Sequence, residues 1–151
     1  MSTAAPPRPP RARRADFGTF YRLQTRWMDN DIYGHMNNVV HYSLFDTAVN
    51  GWLIEQGLLD PKRGETYGLV VETGCRYHAE IAFPAWIEAG LRIGRLGSSS
   101  VRYEIGLFAE GQDLALAEGF FVHVNVTRGD HRPTPLCDHW RRVLAQLLHE
   151  G

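Results

Sequence analysis

Residues 26–38 form a short segment rich in charged and polar side chains, which includes Asp31, His35, Asn37 and Asn38. A carboxylate can attack an acyl carbon or activate a water, and a neighbouring histidine can orient either group. Asparagine is a preferred residue at the start of a helix, where unpaired N–H groups and a partial positive charge stabilise an oxyanion. The segment therefore predicts a site at which a carboxylate and a helix N-terminus act together on an acyl group.

Each of these side chains also has a purely structural interpretation. Asp31 could cap a turn or the helix, and His35 could form hydrogen bonds at the helix start without taking part in any reaction. Asp29 and His41 add two more residues of metal-ligand type nearby. Their spacing matches no known metal-binding loop or helix, so we expect no metal site.

The residues after this segment predict a long helix with one apolar face. Large apolar residues recur there at intervals of three and four, namely Tyr42, Phe45, Val49, Trp52 and Leu53. Gly57 provides a stop signal, so we expect the helix to end near Gln56. Before the segment, residues 20–27 alternate and predict a first strand.

Beyond residue 68 the apolar residues follow a period of two, which is typical of strands. The predicted strands are 69–81, 85–96, 100–109 and 114–127, and a closing helix is predicted at 138–149. Short links between strands imply antiparallel neighbours. In the last strand we expect Phe120, Val122, Val124 and Val126 to face the core and His123, Asn125 and Thr127 to face polar surroundings. The pattern indicates an α+β fold in which about five antiparallel strands cover the long helix.

Composition excludes several classes of protein. The chain has 16 basic and 17 acidic side chains, so no overall charge attracts nucleic acid or an anionic membrane. It contains no apolar stretch long enough to span a membrane. Cys75 and Cys137 have no metal-ligand spacing and are expected to be reduced thiols of a cytoplasmic protein. Cys75 lies in a predicted strand and is interpreted as an apolar filler.

Residues 1–16 are rich in proline and arginine and contain no apolar run. We expect a disordered arm there, followed by one folded domain over residues 17–151. A basic tail that docks on phosphate groups is the alternative interpretation of the arm.

The segment 31–38 resembles the D-x-x-G-H-x-N-N signature of acyl-CoA thioesterases of the 4-hydroxybenzoyl-CoA thioesterase type, within the hotdog superfamily. Segments 77–84 and 95–104 also resemble the second and fourth strands of that family. The similarity runs from about Tyr21 to Val126. It implies a hotdog fold, with an antiparallel sheet of about five strands around a long central helix and, in this chain, a short C-terminal helix.

The resemblance also implies roles for individual residues. Asp31 would be the catalytic carboxylate, acting either as nucleophile or as general base. The backbone N–H of Asn38 would polarise the thioester carbonyl, and His35 would line the site and orient Asp31 or a water. Four residues would line the acyl cavity: Tyr33, Tyr42, Phe45 and Val49.

Coenzyme A requires basic groups or free N–H groups for its phosphates. Arg92, Arg95 and Arg102 have suitable side chains. Related sequences often have a basic residue after the Arg-Leu-Gly motif, where this chain has Ser98. Here the hydroxyls and N–H groups of three serines would instead contact the phosphates: Ser98, Ser99 and Ser100.

The predicted activity is the hydrolysis of an acyl-CoA to a carboxylic acid and coenzyme A, without metal or cofactor, by a homodimer or homotetramer. One alternative is a hydratase or dehydratase on the same scaffold, in which Asp31 and His35 transfer protons. Another is a non-catalytic protein that senses acyl-CoA. A free thiol is released only by hydrolysis.

Overall fold

The long helix of this protein lies against one face of a single antiparallel sheet in a computed structural model, which describes residues 4–7 and 9–149. The strands are β1 (Thr19–Gln24), β2 (Thr66–Tyr77), β3 (Trp86–Leu96), β4 (Ser100–Ala109) and β5 (Ala117–Thr127). The helices are α1 (Val40–Glu55) and α2 (Asp138–Ala145), and short 3-10 turns span Arg14–Asp16 and Trp27–Asp29.

The strand order is β1-β3-β4-β5-β2, and every neighbouring pair is antiparallel. Strand β2 therefore lies at one edge of the sheet and pairs with β5 alone. The predicted α+β class and hotdog architecture are confirmed: five strands cover a long central helix, and a short helix follows β5.

The core forms where α1 packs on the inward residues of the sheet. Phe45, Ala48 and Val49 are fully buried on the helix, opposite strand residues such as Ile105. Each large apolar side chain buried in this way contributes about 1.5–3 kcal/mol. A Cβ added at Gly119 would overlap the Phe45 ring, so the glycine lets helix and sheet approach closely.

Strand β5 faces the opposite way from our prediction. His123 and Asn125 are buried on the face towards α1, whereas Phe120, Val122 and Val124 are half-buried on the outer face. Alternation separates the two faces of a strand but does not say which face meets the core. The outer aromatic surface is covered by a cation: the guanidinium carbon of Arg102 lies 3.9 Å from the centre of the Phe120 ring.

Part of the predicted disordered arm is packed against the domain. The Arg11 guanidinium donates hydrogen bonds of 2.7 and 3.0 Å to the Ala115 carbonyl, and Ala12 is buried. The Arg14 guanidinium carbon lies 5.2 Å from the centre of the Phe108 ring. Residues 11–16 thus bind beside the connection between β4 and β5, which offers carbonyl groups and the Phe108 ring, while residues 1–3 and Arg8 lie outside the described residues.

Helix α1 ends at Glu55, next to the predicted end at Gln56, whereas α2 ends at Ala145 and is shorter than the helix predicted over residues 138–149. Helix α1 has 16 residues and α2 has 8. Within the described part of the chain, neither helix is long and apolar enough to cross a membrane.

Candidate active site

A cavity of about 510 Å³ opens at the N-terminal end of α1. One wall is formed by the loop and helix start, with Asp31, Tyr33, His35 and Asn38, and the other by residues 77–81 after β2. We call it the Asp31 cavity. The structure therefore brings together the three residues that the sequence predicted as catalytic.

The loop before α1 holds Asp31 in a fixed position. The Asp31 N–H donates to the His35 carbonyl at 2.8 Å, and the Gly34 N–H donates to the Asp31 carbonyl at 3.2 Å. Gly34 has a φ of +88°, a conformation that glycine adopts easily. Asp31 Oδ1 accepts a hydrogen bond of 2.8 Å from the Tyr33 N–H. One carboxylate oxygen thus fixes the loop, and Oδ2 makes no hydrogen bond with the residues that the structure describes.

His35 lies between two carboxylates. Its Nδ1 is 3.7 Å from Asp31 Oδ2, and its Nε2 is 3.7 Å from Glu80 Oε1. Both distances exceed that of a direct hydrogen bond and suit a bridging water. The ring also stacks on Tyr33, with ring centres 6.3 Å apart. His35 can therefore orient a water beside Asp31.

The two asparagines at the helix start do different things. Asn37 closes the turn into α1: its Oδ1 accepts from the Val39 N–H at 3.1 Å and its carbonyl from the Val40 N–H at 2.9 Å. The Asn37 N–H donates to the Asp29 carbonyl at 2.9 Å. The Asn38 N–H makes no hydrogen bond with any residue that the structure describes. This donor is free to bind a ligand atom in the Asp31 cavity.

Tyr77 is a site residue that the sequence analysis missed. Its hydroxyl donates a 2.7 Å hydrogen bond to the Asn38 carbonyl and so holds the peptide at the helix start. Burial raises the pKa of the Tyr77 hydroxyl above the ordinary tyrosine value of about 10, so the hydroxyl remains a donor well above neutral pH. The only sequence signal was its position at the start of segment 77–84.

His41 was also missed as part of the site, since the sequence analysis considered it only as a metal-ligand type. The residue is buried, lines the Asp31 cavity and packs its ring edge-on against Tyr77, with ring centres 4.7 Å apart. Burial lowers the pKa of His41, although the nearby Asn38 and Asn37 carbonyls oppose that shift. At neutral pH the ring is therefore uncharged.

Two buried histidines predict how stability depends on pH. Burial lowers the pKa values of both His41 and His123. The unfolded chain therefore binds more protons than the folded chain near and below the ordinary histidine pKa of about 6.5. We expect the free energy of unfolding to fall as the pH falls through this range. Urea unfolding at pH 7.5 and 5.5 measures it.

The variant His123→Phe removes one of the two groups and should lose less stability between these pH values than the native protein. An identical loss in the variant would mean that His123 does not contribute.

Asp29 has a structural role in the site loop. Its buried carboxylate accepts a 2.7 Å hydrogen bond from the Arg26 N–H and a 2.9 Å one from the Arg26 guanidinium. Among the residues that the structure describes, no cluster of three or more metal-ligand side chains occurs. Asp29 thus supports the turn that carries Asn37.

The structure separates the residues predicted to line the acyl cavity. Tyr33 lines the Asp31 cavity. Tyr42 is half-buried against the core, with its ring 6.1 Å from that of Phe45. Phe45 and Val49 are fully buried and do not line the Asp31 cavity, because they lie one and two turns further along α1.

The residues predicted to contact the coenzyme lie at the turn between β3 and β4. Ser98 and Ser99 contribute carbonyls that accept from the Leu136 and Asn125 N–H groups, and the Arg141 guanidinium donates to the Ser98 carbonyl at 2.6 Å. Arg95, Ser98, Ser99 and Ser100 do not line the Asp31 cavity of the same chain.

Comparisons with known proteins identify the family. No curated protein sequence matches this chain. The model of the thioesterase superfamily matches residues 33–116. The crystal structure of PA5185 from Pseudomonas aeruginosa strain PAO1 is 53% identical, covers 94% of this chain and 99% of that one, and has a TM-score of 0.91.

Two more distant structures share the fold. The gentisyl-coenzyme A thioesterase BH1999 is 20% identical, with a TM-score of 0.75 over 83% of this chain and 99% of that one. Slr0204, a 1,4-dihydroxy-2-naphthoyl-CoA thioesterase from Synechocystis, is 17% identical, with a TM-score of 0.76 over 87% of this chain and 98% of that one. The family model and the 53% identical structure give the same assignment as the fold. This chain therefore belongs to the thioesterase superfamily and is a thioester hydrolase.

Proposed function

We propose that the protein hydrolyses acyl-CoA thioesters to a carboxylic acid and coenzyme A in the Asp31 cavity. One observation carries the proposal: a carboxylate oxygen of Asp31 and the unpaired N–H of Asn38 line the same cavity. Two proteins of the same fold are CoA thioesterases, which supports coenzyme A as the thiol. The resemblance to the 4-hydroxybenzoyl-CoA type supports Asp31 as the reacting group.

The two parts suffice for hydrolysis of a thioester. If Asp31 is a general base, it takes a proton from water, and the water oxygen bonds to the acyl carbon. The carbonyl oxygen then becomes an oxyanion beside the Asn38 N–H, and breaking the C–S bond releases coenzyme A as a thiolate. If Asp31 is the nucleophile, it forms a mixed anhydride as the thiolate leaves, and water then hydrolyses the anhydride.

His35 would serve as a positioning residue. A water held between its ring and Asp31 would lie next to the carboxylate oxygen that the loop leaves unused. His35 need not change protonation state for this role, because a thiolate leaves without an acid.

We also propose that the protein acts as a homodimer or a higher homo-oligomer. Strand β2 pairs on one side only, and three consecutive residues of this strand are exposed: Leu69, Val70 and Val71. A long edge of exposed apolar residues is a surface that a second copy can cover. Pairing would also allow Arg95 and Ser98–Ser100 of one subunit to approach the site of another. Sedimentation equilibrium measures the mass, and a monomer at micromolar concentration would contradict the proposal.

Release of free thiol from a panel of short-chain, long-chain and aromatic acyl-CoAs tests the activity. We expect a thiol-reactive dye to report turnover of at least one member, and the preferred member defines the acyl class. Binding of acyl-CoAs by folded protein without release of thiol would contradict hydrolysis. Mass spectrometry of the same samples would then distinguish a hydrated product from unchanged ligand.

A further inference from the structure

A second cavity, of about 300 Å³, lies between α1, the inward face of the sheet and the segment that leads into α2. We call it the inner cavity. Its apolar wall includes Leu53, Val101 and Trp140. The inner cavity meets α1 at Asn50 and beyond, whereas the Asp31 cavity meets it at His41. Nine helical residues separate these positions by about 13 Å, so the two cavities of one chain are distinct.

Three polar side chains of the inner cavity have atoms without partners. Tyr103, His123 and Asn125 are 3%, 6% and 5% exposed. His123 Nε2 and Asn125 Oδ1 are buried and make no hydrogen bond with the residues described by the structure. The Tyr103 hydroxyl likewise has no partner within residues 4–7 and 9–149. Buried polar groups are normally paired, so two buried unpaired atoms beside one cavity, His123 Nε2 and Asn125 Oδ1, require an explanation.

The positions of these side chains are fixed by their surroundings. Asn125 Nδ2 donates to the Thr134 carbonyl at 3.1 Å, which leaves Oδ1 as an acceptor only. A Cβ on Gly68 would lie 2.6 Å from His123 Nδ1, so the glycine makes room for the ring. The ring edge of Tyr103 packs against His123, with ring centres 5.0 Å apart.

The rim of the inner cavity is also held in place. The Arg128 guanidinium donates to the carbonyls of Asp60 and Pro61 at 3.2 and 3.1 Å. Its central carbon lies 5.6 Å from the centre of the Tyr67 ring, which lines the cavity. Arg128 thus fastens the loop after α1 to the sheet and keeps the cavity preformed.

We propose that the inner cavity binds a mostly apolar molecule or acyl group that carries one hydroxyl. Apolar walls favour the hydrocarbon part. Asn125 Oδ1 accepts only, so the ligand must bring a donor, and a hydroxyl provides one together with acceptor lone pairs for Tyr103 or His123. A volume of about 300 Å³ is at the lower end of the range for ligand pockets.

Such a hydroxyl has two possible sources: a free small molecule, or the acyl group of a thioester. The second source rests on the proposed function and requires a site shared between copies of the chain. Two experimental arms separate these sources.

The first arm measures binding by isothermal titration calorimetry with 1-octanol and with 1-methoxyheptane, which has the same number of heavy atoms but no donor. We expect 1-octanol to bind more tightly, and Tyr103→Phe and His123→Phe to weaken its binding by about tenfold each. The control Tyr21→Phe removes a hydroxyl outside the cavity and should change nothing. A melting temperature at or above the native value is expected for His123→Phe, because this variant loses a buried unpaired atom, and one close to the native value for Tyr103→Phe.

The second arm compares kcat/KM for 8-hydroxyoctanoyl-CoA and octanoyl-CoA. A preference for the hydroxylated substrate that Tyr103→Phe abolishes would assign the inner cavity to the acyl group. Tight 1-octanol binding without that preference would assign it to a free molecule. Equal binding of both probes together with equal hydrolysis of both substrates would overturn the proposal. Failure to hydrolyse these two substrates and every member of the acyl-CoA panel would count against the proposed function, and the binding arm would still decide the inner cavity.

Discussion

The variant Asp31→Asn is expected to lose thioester hydrolysis by a factor on the order of 10³ in kcat while remaining folded. An amide can neither attack the acyl carbon nor take a proton from water. It can still accept the Tyr33 N–H, which Asp31 Oδ1 binds at 2.8 Å, so the loop keeps its main restraint. We therefore expect the free energy of unfolding to change by less than about 1 kcal/mol. Thiol release and urea unfolding measure the two quantities.

Asp60→Asn is a matched control for this experiment. Asp60 Oδ1 accepts from the Lys62 N–H, two residues further on, at 3.0 Å, as Asp31 does from Tyr33. The control thus makes the same chemical change in the same kind of turn, outside the Asp31 cavity. Native kcat in Asp31→Asn would remove Asp31 from the mechanism. A loss of kcat in both variants would point to a general effect of removing an acid.

Local chemistry was sufficient to predict an α+β fold and the loop that forms the site, and the family resemblance supplied the hotdog architecture. The Asn37 side chain accepts the hydrogen bond that closes the turn into α1, and Gly34 adopts the positive φ that the preceding loop requires. The apolar spacing of Phe45 and Val49 defines the buried face of the helix. These are properties of neighbouring residues, and a single sequence displays them.

The errors concern contacts between distant parts of the chain. Strand β5 alternates clearly, yet only packing against α1 decides that His123 rather than Phe120 points inward. Arg11 binds a carbonyl 104 residues away. Tyr77 reaches the Asn38 carbonyl across 39 residues. No periodicity or local motif encodes such pairings, because they depend on how the finished sheet places its edges and ends.

These distant contacts have a consequence for the site. The Asp31 loop is defined locally, but the helix-start peptide that it faces is held by Tyr77, which arrives from the end of β2. The Asp31 loop is also tied to the segment after β2, because the Met36 N–H donates to the Ile81 carbonyl at 2.6 Å and Asn30 Oδ1 accepts from the Phe83 N–H at 3.0 Å. The carboxylate and the helix-start donor nevertheless belong to different residues, so separate substitutions can remove each of them.

The variant Asn38→Pro removes the helix-start donor together with the Asn38 side-chain amide, and it is expected to lower kcat by about 10²- to 10³-fold, the usual effect of losing one oxyanion donor. Proline has no N–H, and it is well tolerated where the chain enters a helix and the N–H is unpaired. Asn38 lies two residues before the first residue of α1, in a turn that the Asn37 Oδ1 and carbonyl close. The Asn38 carbonyl that Tyr77 binds is retained. Thiol release under saturating substrate measures the loss.

Asn38→Ala is the control that separates the backbone from the side chain, because it keeps the N–H and removes the amide group. A large loss in the proline variant alone would place the oxyanion at the backbone donor. An equal loss in both variants would transfer the role to the Asn38 side chain. Full activity in Asn38→Pro, with α1 intact by circular dichroism, would mean that another donor holds the carbonyl oxygen, since the Val39 and Val40 N–H groups are already bound by Asn37.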